Sequence, residues 1–151
     1  MAKFDIHTIA LLPFNDQNHL RHHLNYLFRT DPTQKWTNRY TDANLIIIGD
    51  TFSVIGKTLD ERKHTAMTAQ NLIRRLNVNY SQLYMCCVEC IDRYQHSYND
   101  ILVAEVMSIM RALDKELETE DLRILFAVTH EDQENLHFHI ICSEFPVNQT
   151  K

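Results

Sequence analysis

Apolar residues recur along the chain in blocks of two alternating periods. Residues 3–12 combine β-branched side chains with partial alternation and are closed by Pro13, which predicts a strand. Asp16 is placed to cap a helix over residues 17–29, where Leu20, Leu24, Leu27 and Phe28 form one stripe and Asp31-Pro32 stops the run. Residues 33–43 are polar and loop-like. Residues 44–55 read as a strand or hairpin turning at Gly49-Asp50, and residues 65–76 as a helix with Met67, Ala69, Leu72, Ile73 and Leu76 as its apolar positions. A strand over 80–91, a long helix over 97–117 and strands over 122–129 and 136–143 follow. The last two strands enclose a polar turn at 130–135, so they pair as an antiparallel hairpin. The pattern predicts an α+β fold, a central antiparallel sheet with flanking helices, as a single domain over residues 1–151.

Composition narrows the chemistry. Only Gly49 and Gly56 occur, so neither Gly-rich phosphate-binding loop can be written from this chain. Lys and Arg number 15 against 20 Asp and Glu, a net charge of −5 that argues against duplex binding through the overall field and leaves room for a local basic groove. The opening residues hold no apolar run of signal length, and no segment approaches 18 uninterrupted apolar residues. With four cysteines among apolar neighbours, the expectation is a cytoplasmic protein whose thiols are reduced. Cys87-Val88-Glu89-Cys90 is formally C-x-x-C, but residues three apart on a strand face opposite ways and cannot share an ion.

The informative stretch is His130-Glu131-Asp132-Gln133-Glu134-Asn135-Leu136-His137-Phe138-His139. Alternation on a strand projects His137 and His139 to one face, and His130 at the end of the preceding strand reaches them across the hairpin. Three neutral imidazoles on one cation leave coordination positions open to polarise a substrate oxygen. Asp132 is placed to hydrogen-bond the distal nitrogen of a ligating histidine and so fix its tautomer. On the first helix, Tyr26 falls roughly 240° round from Leu20, well off the apolar stripe, which exposes its hydroxyl. His22 and His23 lie one turn before it, as a base, as extra contacts or as solvated side chains.

His130-x-Asp132-x-x-Asn135-Leu136-His137-Phe138-His139 resembles the third motif of the P-type mobilisation group of relaxases, the conjugative DNA strand transferases of the HUH endonuclease superfamily. Leu24-Asn25-Tyr26-Leu27 resembles the context of that group's nucleophilic tyrosine. Tyr26 lies upstream of the histidines and no tyrosine follows His139, the order of relaxases rather than of rolling-circle initiators or single-strand transposases. The resemblance implies an HUH-like sheet with His-x-His on a central strand and His130, His137 and His139 on a divalent metal, Mn²⁺ or Mg²⁺ or another transition ion. It implies Tyr26 and Asp132 as catalytic residues that nick and rejoin one DNA strand through a 5′-phosphotyrosine. The implied partners are single-stranded or extruded DNA at a transfer origin, relaxosome accessory proteins and a secretion coupling protein, with no membrane.

Expected DNA contacts are Lys35, Trp36 and Arg39, where cations interleave with aromatics, together with Lys57, Arg62, Lys63, Arg74 and Arg75. Two other classes stay open. One is a non-catalytic relaxase-like DNA-binding or relaxosome module, which the acidic balance favours. The other is a metal-dependent hydrolase that uses water in place of Tyr26.

Overall fold

The computed structural model describes residues 10–30, 45–56, 58–89, 100–131 and 136–144, without the side chains at 89, 100–103, 105, 106, 131, 136 and 137. Within these residues the chain runs β1 (Leu12–Pro13), α1 (Gln17–Phe28), β2 (Leu45–Ile48), β3 (Thr51–Val54), α2 (Leu59–Leu76), β4 (Leu83–Glu89), α3 (Asp100–Glu118), β5 (Leu122–Glu131) and β6 (Leu136–Glu144). One six-stranded antiparallel sheet orders them β1-β4-β6-β5-β2-β3. The α+β architecture is therefore as the hydrophobic pattern predicts. Most of the predicted 3–12 strand and all of the 33–43 loop lie outside the described residues. Of the former, Leu12 pairs with Met85, and Pro13 with Tyr84, at the sheet edge where a residue without an N–H is tolerated.

Each face of the sheet buries its own core. Met110, Leu113 and Leu117 of α3 pack with Cys86, Val88, Ala127, Phe138, Ile140 and Cys142 on one side. On the other, Leu20, Leu24, Leu27 and Phe28 of α1 and Ala66, Ala69 and Ile73 of α2 cover Ile46, Leu83, Phe126, Val128 and Ile141. The four stripe residues of α1 are all buried, and Asp16 caps the helix by accepting the His19 N–H at 2.8 Å.

Two boundaries differ from the sequence reading. Helix α2 starts at Leu59 rather than at 65, because Thr58 and Glu61 form a capping box: Thr58 Oγ1 accepts from the Glu61 N–H at 3.1 Å and the Glu61 carboxylate accepts from the Thr58 N–H at 3.3 Å. The first turn is polar, so apolar periodicity is silent there. The strand predicted over 80–91 begins as a short 3-10 turn, Tyr80–Gln82, before β4. The thiols also divide. Cys86 and Cys142 are buried, whereas Cys87 is exposed, and Cys90 lies outside the described residues.

Candidate active site

A bulge in β5 sets which face carries the histidines. Ile124 pairs with Cys142 but Phe126 pairs with Ile141, so one extra residue sits in β5 at that point. Leu122 accordingly belongs to the α3 core, while Phe126 and Val128 belong to the core under α1 and α2. A one-residue slip exchanges the faces of every later side chain, and this one turns His130 toward α1. Beyond the bulge His130 pairs with His137 and Val128 with His139, on β5 and β6 at the middle of the sheet.

Helix α1 brings Tyr26 over this part of the sheet. Its ring centroid lies 5.6 Å from that of His130 and 5.3 Å from that of His139, both edge-on. The His130 and His139 rings are 4.6 Å apart. Tyr26 is 36 % exposed, so a substrate can reach a ring whose other edges are held by protein. The sequence-predicted Tyr26, His130 and His139 are thus brought together from positions more than a hundred residues apart. The backbone of His137 pairs with Glu89 as well as with His130, while its side chain and the whole of Asp132 lie outside the described residues.

The end of α1 is fastened by an arginine that sequence reasoning missed. Arg29 caps the helix at φ 54°, in the left-handed region that costs an ordinary residue about 1–2 kcal/mol and usually selects Gly or Asn. Its side chain offsets that cost. The guanidinium lies 4.7 Å from the Tyr26 ring centroid, donates to the Tyr26 carbonyl at 3.2 Å and donates to His130 Nδ1 at 3.1 Å. Arg29 is 1 % exposed, and its own carbonyl accepts from Arg62 Nε at 3.1 Å. Arg62, expected at the DNA, is therefore corrected to a buried side chain that secures this cap.

His130 is itself tied to α1. The Leu27 carbonyl can only accept, so His130 Nε2 carries the proton and donates to it at 2.7 Å. The Arg29 guanidinium can only donate, so Nδ1 accepts. His130 is thereby the Nε2–H tautomer, 1 % exposed, with both ring nitrogens committed. A cation on either nitrogen would have to break one of these bonds and lie beside a buried guanidinium. His130 does not fit the expected three-imidazole metal set in this arrangement. Among the described residues, no group of three or more His, Cys, Asp or Glu is placed to hold a metal ion.

His23, one turn before Tyr26, packs 6.1 Å from the Tyr26 ring and 6.2 Å from the His139 ring. With His139 it lines a cleft of about 410 Å³ whose remaining walls are Ala10, Leu12, Met85, Cys86 and Cys87. Burial, aided by repulsion from His19, lowers the His23 pKa from 6.5 to about 4. The unfolded chain then binds the extra proton first, so His23 contributes its full stability above pH 6.5 and loses it as pH falls toward 4. With partial exposure allowed for, the loss is on the order of 2 kcal/mol. Urea unfolding at pH 7 and pH 4.5 checks this: the wild type should lose that much more stability between the two than His23→Gln does. Parallel losses would refute the assignment.

Three of the remaining expected DNA contacts share one helix. Lys63, Arg74 and Arg75 are exposed on α2, with Arg74 lining a groove between α1 and α2 beside Gln17, Arg21 and Gln70. Lys35, Trp36, Arg39 and Lys57 lie outside the described residues. No helix among the described residues is long and apolar enough to cross a membrane. Comparison with protein-family models, with curated proteins and with solved structures finds no match to this chain, so the reading of the site rests on its residues and their geometry.

Proposed function

We propose that the chain is a relaxase-like enzyme that nicks and transfers one DNA strand through Tyr26. The observation that carries this reading is the convergence of an exposed tyrosine with two imidazoles of the His-rich hairpin, at ring separations of 5.3 and 5.6 Å. In the reaction, the Tyr26 oxygen bonds to the phosphorus of a phosphodiester and the bond from phosphorus to the 3′ oxygen breaks. The phenolic proton ends on the released 3′ hydroxyl, and the 5′ side stays on the enzyme as a phosphotyrosine. Because the ester is conserved, an incoming 3′ hydroxyl can reverse the step and seal a strand.

Each neighbour contributes by holding Tyr26. His23 stacks on it from within α1, His139 and His130 meet its edges, and Arg29 covers its face. A nucleophile fixed in this way avoids part of the entropic cost of attack. His139 and, from the sequence motif, His137 are the expected holders of a divalent cation such as Mn²⁺ or Mg²⁺, which when bound supplies charge neutralisation at the phosphate. The substrate is single-stranded or extruded DNA, as the resemblance of the histidine motif implies. Accessory proteins of a transfer complex and a secretion coupling protein are the proposed partners.

A non-catalytic DNA-binding module is the second reading, favoured by the net charge of −5. Incubation of the chain with random single-stranded oligonucleotides and Mn²⁺ or Mg²⁺, followed by a denaturing gel, separates the two. A covalent protein–DNA band supports strand transfer. Binding without any such band supports the module, and cleavage that survives Tyr26→Phe supports a water-using hydrolase.

A further inference from the structure

We propose that His23 is a cation ligand of this site, paired with His139, in the place that the sequence motif would give to His130. The inference rests on the proposed function for the presence of a cation and goes beyond it in assigning a ligand to the helix that carries the nucleophile. Three observations support the exchange. Both nitrogens of His130 are spent, on the Leu27 carbonyl and the Arg29 guanidinium. By contrast, among the described residues no hydrogen-bond partner reaches the buried Nε2 of His23. A buried ring nitrogen ordinarily has a partner, and an imidazole nitrogen without one is suited to a borderline transition ion.

The third observation is placement. His23 and His139 line the same cleft, with ring centroids 6.2 Å apart and planes at 79°. Two imidazoles bonded to one ion at about 2.1 Å and a tetrahedral angle have centroids about 5 Å apart, near the separation of this pair.

The arrangement has a consequence for Tyr26. His23 and Tyr26 are three residues apart on α1 and stack at 6.1 Å, so they share one side of the helix. A cation held by His23 is fastened to the same turn as the nucleophile.

The test titrates the full metal-free chain with Co²⁺ at pH 7.5, by calorimetry and by the visible absorption of the bound ion. The wild type, His23→Gln, His139→Gln and His22→Gln are compared, with circular dichroism reporting the fold of each. His23→Gln and His139→Gln should each weaken binding about tenfold or more. His22→Gln, at an exposed neighbour, should stay within about threefold of the wild type. In the wild type, Zn²⁺ should shift the His23 ring ¹⁵N resonances, a readout that does not depend on any variant folding. Wild-type binding that His23→Gln leaves unchanged, or His23 resonances that Zn²⁺ does not move, overturns the assignment of His23 alone. A wild type that takes up neither ion overturns the cation site of the proposed function along with it.

Discussion

Tyr26→Phe is expected to remove the covalent DNA adduct, lowering its rate of formation by at least about three orders of magnitude while leaving the fold intact. The substitution deletes one oxygen and keeps the ring that His23, His130, His139 and Arg29 touch. Because that ring is 36 % exposed and its packing is preserved, stability should change by no more than about 0.5 kcal/mol. Affinity for a single-stranded oligonucleotide should also stay within about threefold, since the phenolic oxygen is one contact among many. Adduct yield on a denaturing gel, thermal unfolding and fluorescence anisotropy measure the three quantities on one preparation. Loss of the adduct with retained binding assigns the oxygen to chemistry. Loss of binding in parallel would reduce Tyr26 to a docking contact.

His130→Ala is expected to act chiefly on stability. The imidazole is 1 % exposed and bridges the Leu27 carbonyl to Arg29, so truncation leaves a buried carbonyl and a buried guanidinium each short of a partner and opens a cavity. Together these cost about 3 kcal/mol, a fall in the unfolding midpoint of roughly 6–12 °C for a chain of this size. His139→Ala, at a half-buried position, should cost about 1 kcal/mol. Differential scanning calorimetry compares the two. Equal losses would mean that His130 is not the fastening of α1 that its hydrogen bonds describe. If His130 were instead a dispensable ligand, its removal would leave the midpoint near that of the wild type.

Local physics made the helix carrying the nucleophile legible. Leu20, Leu24, Leu27 and Phe28 define a stripe in the sequence and a buried face in the structure, and Tyr26 falls off that stripe and is exposed. The β2–β3 turn was equally readable, because Gly49 takes the φ of 60° that the hairpin requires. Apolar periodicity could not reveal the start of α2, yet Thr58 and Glu61 at capping-box spacing were a signal available three residues apart.

What remained hidden depends on contacts distant in sequence. The bulge between Ile124 and Phe126 leaves no mark in an apolar run, yet it decides that His130 meets α1 and not α3. Arg29 and Arg62 look like surface cations in the sequence. They are buried because a left-handed helix end and its carbonyl need donors there. Spacing alone groups His130 with His137 and His139. Only the hydrogen bonds to Leu27 and Arg29, a hundred residues earlier, show that its ring is engaged elsewhere.

Strand transfer requires that one phenol, Tyr26, bond covalently to a DNA phosphate. Its most direct measurement is mass spectrometry of the tryptic peptides from a wild-type adduct after nuclease trimming. A nucleotide remnant is expected on the peptide spanning residues 22–29, carried by Tyr26. A remnant on Tyr40, Tyr80, Tyr84, Tyr94 or Tyr98, or cleaved DNA with no peptide modified, would contradict it.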